Sequence, residues 1–257
     1  MFDSHAHLNH EQFQIDRDAV LERARQAGLV GLVNVGFDIG SSRLAIELAQ
    51  PDRDIYAAVG VHPHEAETVT RETVAKLREL ARRPAVVAVG ETGLDFYRNL
   101  SPRQAQIDAF RWHIDLAAAE YLTLIVHTRE AHDEVMEILD RHAPPHLRVV
   151  LHCFSGDQAI AEEAVRRGYW LGIAGNVTYP RARRLQGIAA RLPDERLLIE
   201  TDCPYLPPQG RRGQRNEPAY LRQTLEFLAA LRGQEVEDLE RVTEENAMVA
   251  FGLVATE

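Results

Sequence analysis

Short apolar runs alternate with amphipathic stretches along the whole chain. The apolar runs predict strands at 2–8, 29–35, 55–61, 85–91, 121–127, 147–153, 169–174 and 196–202. Spacing of about 3.6 residues between apolar positions predicts helices near 15–27, 41–50, 73–83, 102–120, 129–142, 157–167, 181–191, 218–231 and 235–250. Runs such as LVGLVNV (29–35) and TLIV (123–126) are apolar at almost every position, so they predict parallel strands that are buried on both faces.

Eight strand-plus-helix units within 257 residues favour an α/β fold, a single (β/α)8 TIM barrel spanning residues 1–257. A doubly wound open sheet is the alternative. It is disfavoured because neither GxGxxG nor GxxxxGK[ST] follows a predicted strand.

Composition and charge narrow the class of protein. A net charge of −10 argues against a protein that coats nucleic acid, although local basic patches remain compatible with a nucleic-acid substrate. No apolar run is long enough to span a membrane, and Asp3, His5 and His7 interrupt any leader-like stretch. Two cysteines do not make a disulfide framework. We therefore expect a cytoplasmic protein without membrane contacts.

Polar side chains capable of binding metal occur where the predicted strands end. They are His5, His7, His62, Glu91, His127, His152 and Asp202. The carboxyl ends of barrel strands meet on one face, where barrel enzymes keep their active sites, so these side chains should converge. Mixed imidazole and carboxylate ligands suit zinc, manganese, nickel or iron, and magnesium when water completes the shell.

A carboxylate between two histidine groups can bridge two cations, and Glu91 is the best candidate for that position. Lys76 is the only lysine and lies within a predicted helix, so a carbamylated lysine is not available as the bridge. Asp202 is a candidate for accepting a proton from water. Glu200 shares its strand face and is either a further ligand or a buried carboxylate that orients a neighbour. Cys153 and Cys203 should face away from the ligands they follow.

Two arginine clusters in late loops are candidates for holding phosphate. They are Arg181, Arg183 and Arg184, and Arg211, Arg212 and Arg215. The second cluster is favoured because it lies in an irregular loop rich in glycine and proline, whereas Arg184 is expected to be simply solvated. Phe96, Tyr97, Tyr179 and Tyr205 are near candidate ligands and could stack on a base, although such aromatics more often pack within loops.

The chain as a whole resembles the TatD family of metal-dependent deoxyribonucleases. The segments that carry the resemblance are DSHAHLN (3–9), GVHPHE (60–65), GETGLDFY (90–97), VHTRE (126–130), HCFSG (152–156), IETDCPYLPP (199–208) and RGQRNEP (212–218). The resemblance implies metal ligands at His5, His7, Glu91, His127, His152 and Asp202. It also implies that His62 and His64 contact the substrate or its phosphate and that Glu200 lies close to the metals. Phe96 stands where members often carry tyrosine.

The resemblance implies a hydrolase of phosphodiester bonds in DNA, most simply a 3′–5′ exonuclease on single strands, in which a metal-bridged hydroxide attacks. The catalytic residues would be Glu91, Asp202 and Glu200. The substrate or its phosphate would be bound by His62, His64, Arg211 and Arg212. Two divalent ions are expected, and whether a third binds stays open. The candidate metals are magnesium, manganese and zinc. DNA repair is one expected setting, and no obligate protein partner is evident.

Two other interpretations stay open. The same ligands would serve a hydrolase of a carbonyl substrate, such as a D-aminoacyl-tRNA ester, a lactone or an amide. A catalytically silent metal-binding scaffold would be marked by a lost ligand, and no such loss is visible.

Overall fold

The structure is a computed structural model that describes residues 1–50 and 54–253. Eight parallel strands follow one another around the sheet in chain order. They are β1 (Phe2–Ala6), β2 (Gly31–Val35), β3 (Ile55–Val59), β4 (Val86–Asp95), β5 (Thr123–Arg129), β6 (Val149–Leu151), β7 (Trp170–Ile173) and β8 (Leu197–Ile199). Residues 51–53 and 254–257 of the predicted domain lie outside the described residues.

Helices separate the strands, as the alternating pattern predicts. They are α1 (Arg17–Gln26), α2 (Ile39–Ala49), α3 (Arg71–Ala81), α4 (Arg103–Ala119), α5 (His132–His142), α6 (Gln158–Arg166), α7 (Arg183–Ala189), α8 (Leu221–Arg232) and α9 (Val236–Ala250). The predicted (β/α)8 barrel is therefore confirmed. None of the described helices combines the length and apolar character needed to cross a membrane.

The seam between the first and last strands is closed by backbone hydrogen bonds beyond the end of β8. The N–H of Asp202 donates to the carbonyl of His5 at 2.9 Å, and the N–H of His7 donates to the carbonyl of Cys203 at 2.9 Å. The seam therefore brings two histidines and a carboxylate side by side.

The strand ends differ from the predicted ones where the site begins. β4 continues to Asp95, so Glu91 lies within this strand rather than closing it. β6 and β8 are only three residues long. His152 and Asp202 lie in the segments that follow these strands. Those segments are irregular because the chain leaves the hydrogen-bonded sheet and turns into the site.

An apolar cluster supports the site from below. Its strand members include Val33, Val35, Ala58, Ile125, Val150 and Leu198, all buried. Side chains two residues apart on a strand share a face, so Ile125 lies beneath His127. Close packing of these branched side chains gives the polar residues above them a rigid floor.

Candidate metal centre

One half of the site comes from the barrel seam. Nε2 of His5 and Nε2 of His7 are 3.1 Å apart, and Nε2 of His7 lies 3.5 Å from Oδ1 of Asp202. Nδ1 of His7 lies 2.9 Å from the carbonyl oxygen of Val35. That carbonyl fixes the ring, which leaves Nε2 directed at the neighbouring histidine and carboxylate.

The other half depends on an irregular register in β4. The pairing of β4 with β5 shifts between Val89 and Thr92, and Gly90 in this interval has φ +142°. A Cβ on Gly90 would lie 2.5 Å from the carbonyl oxygen of Ile125, so only glycine allows the strands to approach this closely. A bulge of this kind re-aims a side chain, here that of Glu91.

Glu91 lies between two groups of histidines, and its two oxygens face different groups. Oε2 lies 3.4 Å from Nε2 of His5 and 3.5 Å from Nε2 of His7. Oε1 lies 2.8 Å from Nδ1 of His127 and 2.7 Å from Nε2 of His152. This is the geometry expected of a carboxylate that bridges two cations.

His62 belongs to the second group, with Nε2 3.5 Å from Oε1 of Glu91. Candidate ligand atoms of His5, His7 and Asp202 lie within 4.8 Å of one another, as do those of His62, Glu91 and His127, and those of His5, His152 and Glu200. The sequence-predicted ligands are thus all brought together.

Glu200 is fully buried behind His152. It accepts the backbone N–H of Cys153 at 2.5 Å and the hydroxyl of Ser4 at 3.3 Å. Its Oε1 lies 3.3 Å from Nδ1 of His152. The sequence leaves two roles open for Glu200, a further metal ligand or a carboxylate that orients a neighbour. These contacts favour the orienting role, because both carboxylate oxygens already accept hydrogen bonds.

The charges of the cluster are strongly coupled. Burial alone would raise the pKa of Glu91, but the charge of His152 and hydrogen bonds from His127 and His152 lower it well below its usual value. Burial would lower the pKa of His152, yet Glu91 and Glu200 raise it well above the ordinary value. Burial lowers the pKa of His62 to about 3. The cluster therefore holds an ionised carboxylate among imidazoles.

The donor set fits divalent metal. Nε2 of His5 and Nε2 of His7 are 3.1 Å apart, and both lie within 3.5 Å of Oε2 of Glu91. Two buried imidazole nitrogens and a carboxylate oxygen thus face one point, where a cation would offset the cost of burying them. Imidazole nitrogens crowded against two carboxylates are ordinary ligands of zinc, manganese and iron. His5, His7, Glu91, His127, His152 and Asp202 would hold the ions.

The site opens into a cavity of about 740 Å³. His7, His62, His64, Glu91, His127, His152 and Asp202 line it. Arg211 and Arg212 do not, since their guanidinium groups lie over the rings of Tyr220 and Tyr179. Arg98 and Arg129 line the cavity instead.

Other sequence expectations are only partly met. Cys203 is buried as expected, but the expectation that Cys153 faces away from the site is wrong because Cys153 lines the cavity. Its φ of +44° shows that the chain has left the strand conformation, so strand alternation does not apply. Of the aromatic candidates, Tyr205 lines the cavity, whereas Phe96, Tyr97 and Tyr179 are not part of its lining.

Comparisons with known proteins identify the family. The family model described as TatD related DNase matches residues 2–252. The chain belongs to the TatD family. A Bacillus subtilis protein called uncharacterized metal-dependent hydrolase YabD is 39% identical, over 98% of both chains. An Erwinia amylovora protein called 3′-5′ ssDNA/RNA exonuclease TatD is 40% identical, over 98% of this chain and 100% of that protein.

A solved structure shares the architecture. The crystal structure of YjjV, a TatD homolog from Escherichia coli K12, superimposes with a TM-score of 0.93 and 32% identity, over 98% of each chain. This TatD-family chain is thus a hydrolytic enzyme. Its resemblance to the family, read from seven short segments, is confirmed.

Sequence reasoning about this TatD-family chain missed Asp95. The buried Asp95 carboxylate lies 2.8 Å from Nε2 of His64 and 3.4 Å from Nε2 of His127. Gln106 accepts the backbone N–H of Asp95 at 2.8 Å. The signal was present, since Asp95 stands four residues after Glu91 in GETGLD, and an extended strand brings both residues to one face.

Proposed function

We propose that this chain is a divalent-metal-dependent phosphodiesterase that degrades single-stranded DNA from its 3′ end. The observation that carries the proposal is the position of Glu91, whose two oxygens face separate histidine groups at distances of 2.7–3.5 Å. Sites with two bridged cations are typical of enzymes that displace an oxygen at phosphorus. The relatives named as exonucleases support the same reaction class.

Divalent cations held there would supply charge neutralisation at phosphate and activation of water. Glu91 would set their separation, since its carboxylate contacts both halves of the site. Asp202, which contacts His5 and His7 through Oδ1 and is partly exposed to the cavity, would accept the proton of the attacking water. Burial would raise the pKa of Asp202, but His7 and the charges of His152 and His5 lower it, so the carboxylate is ionised at pH 7.

His62 and His64 would face the phosphate. Their rings are 4.2 Å apart on one cavity wall. The pKa of His62 is lowered by burial to about 3, so this imidazole is neutral at pH 7 and would donate or accept a hydrogen bond rather than a charge. Asp95 holds His64 through its carboxylate, which keeps the ring at the cavity mouth.

Hydrolysis of a 5′-labelled single-stranded oligodeoxynucleotide tests the proposal. Metal-stripped protein would receive magnesium, manganese or zinc in turn, and the same oligonucleotide as RNA would be run beside the DNA. We expect a ladder that shortens from the 3′ end only when metal is present. Glu91→Ala should lower the rate by at least about a hundredfold, because removing the bridge disrupts both cation positions.

Glu137→Ala is the matched control. Glu137 is an exposed carboxylate on α5 whose partner is Arg141, and its loss should leave the rate unchanged. Wild-type protein that is inert on DNA and RNA with every metal would contradict the proposal. Cleavage of an aminoacyl ester or a lactone under those conditions, lost in Glu91→Ala, would assign the same metal centre to a carbonyl substrate.

A further inference from the structure

Four residues on one edge of the cavity combine positive charge with exposed apolar surface. We call this edge the β4–β5 rim: Tyr97, Arg98 and Leu100 from the segment after β4, and Arg129 at the end of β5. Tyr97 is 55% exposed and Leu100 is 63% exposed, although large apolar side chains are usually covered. Arg98, Leu100 and Arg129 line the cavity.

Arg129 is held in place without being neutralised. Its Cζ lies 3.9 Å from the centre of the Tyr97 ring, a stacking contact that orients the guanidinium plane and leaves its N–H donors available. Within residues 1–50 and 54–253, neither Arg129 nor Arg98 forms an ion pair or a side-chain hydrogen bond. By contrast, Arg215 in the loop after β8 is paired with Asp16.

The strand sets the position of Arg129 relative to the metal centre. His127 and Arg129 are two residues apart on β5, so they share a face and are separated by about 6–7 Å along the strand. His127 contacts Glu91 at 2.8 Å. A phosphate bound beside Arg129 would therefore lie one step from a phosphate at the metal centre, as neighbouring phosphates do along a nucleic-acid strand.

We infer that the β4–β5 rim is a subsite for the nucleotide next to the reacting phosphate: Arg129 and Arg98 bind its phosphate, and the exposed side chains of Tyr97 and Leu100 contact its base. This inference rests on the proposed function and names the residues that select a nucleic-acid strand over a single phosphate ester. The combination of arginine with an aromatic platform is the usual way of binding single strands without regard to sequence. It also explains how a protein of net charge −10 attracts a polyanion.

Binding without turnover tests the subsite directly. The anisotropy of 5′-fluorescein-labelled dT10 would be recorded in EDTA with wild type, Arg129→Gln and Arg103→Gln. Arg103 is the matched control, because its Cζ lies 4.1 Å from the Phe96 ring centre but the residue does not line the cavity. We expect Arg129→Gln to bind about tenfold more weakly, which is the loss of one charge-assisted phosphate contact. The log–log salt slope should fall by about 0.7.

Kinetics with metal present then separates the subsite from the proposed function. Arg129→Gln should raise KM for dT10 about tenfold and leave kcat/KM for the p-nitrophenyl ester of thymidine 5′-phosphate, which has one phosphate, unchanged. Equal dT10 affinity in wild type and Arg129→Gln, or an equal loss on both substrates, would overturn the subsite. Wild type that cleaves neither substrate with any metal contradicts the proposed function instead, and the anisotropy result still decides the subsite.

Discussion

Gly172 and Glu200 face each other across neighbouring strands with no room for another atom between them. A Cβ on Gly172 would lie 2.0 Å from Oε2 and 2.7 Å from Cδ of Glu200. Gly172 stands in the middle of β7, paired with Leu198 of β8. The missing side chain therefore makes the space in which a fully buried carboxylate reaches His152.

Replacing Gly172 with alanine should displace Glu200 and, through it, His152. We expect a loss of stability of about 1–3 kcal/mol, as for overpacked cores, together with weaker metal binding. Urea denaturation and metal content after dialysis measure the two effects. Gly187→Ala is the control, since a Cβ there meets nothing nearer than 3.9 Å and should stabilise α7 slightly. Full metal occupancy in Gly172→Ala would show that Glu200 does not position His152.

Asp95 offers a second test of positioning. Asp95→Asn keeps the size of the side chain but removes the charge that faces His64 and His127. Substitution of a residue that orients a metal-binding histidine typically lowers metal affinity or activity by about 10–100-fold. We expect a loss of about that size. Manganese affinity, measured by competition with a chelating dye, checks it.

Asp108→Asn is the control for Asp95→Asn. Asp108 accepts a hydrogen bond from Gln104 on the outer part of α4 and has no contact with the site. Equal manganese affinity in Asp95→Asn and wild type would assign Asp95 to the support of loop 96–101 alone, where it accepts the backbone N–H of Arg98.

The sequence predicts the barrel, and it predicts which polar side chains meet at one end of it, because both depend on local signals. Apolar runs on both faces mark the strands, and strand ends of a barrel necessarily meet on one face. His152 and Asp202 could therefore be assigned to the site although β6 and β8 are short.

The environment of those ligands depends on contacts that no local pattern records. The buried link between Glu200 and the backbone of Cys153 joins residues 47 positions apart. Arg129 is the last residue of β5, whereas Arg211 and Arg212 lie in the loop after β8, which turns them onto Tyr220 and Tyr179. Only the packing of the loop separates the arginines that reach the cavity from those that do not.

His113 makes stability depend on pH at a place outside the metal centre. It is buried on α4, where its Nε2 accepts the backbone N–H of Val61 at 3.1 Å. Burial lowers its pKa to about 4. The folded chain thus keeps His113 neutral while the unfolded chain binds a proton as the pH falls below about 6.5. The stability that depends on this group is complete above pH 6.5 and is lost as the pH falls toward 4.

His113→Gln should remove that part of the pH dependence. The full effect in wild type corresponds to roughly 3 kcal/mol between pH 7 and pH 4, so the variant should lose correspondingly less stability over this range. Urea unfolding of metal-free protein at several pH values measures the difference. His142→Gln, at an exposed position at the end of α5, should follow the wild-type curve. Parallel curves for wild type and His113→Gln would refute the assignment.

Arg215 is expected to act in stability rather than in substrate binding. Its two terminal nitrogens lie 2.8 and 2.7 Å from the two carboxylate oxygens of Asp16. Beside this pair, Glu217 is bound by Arg23 of α1, so the two contacts attach the loop after β8 to the first helix. Arg215→Gln should lower the free energy of unfolding by up to about 1 kcal/mol, since the pair is partly exposed, and leave KM for dT10 unchanged. A rise in KM as large as that of Arg129→Gln, with unchanged stability, would instead give Arg215 the phosphate-binding role that its loop composition suggests.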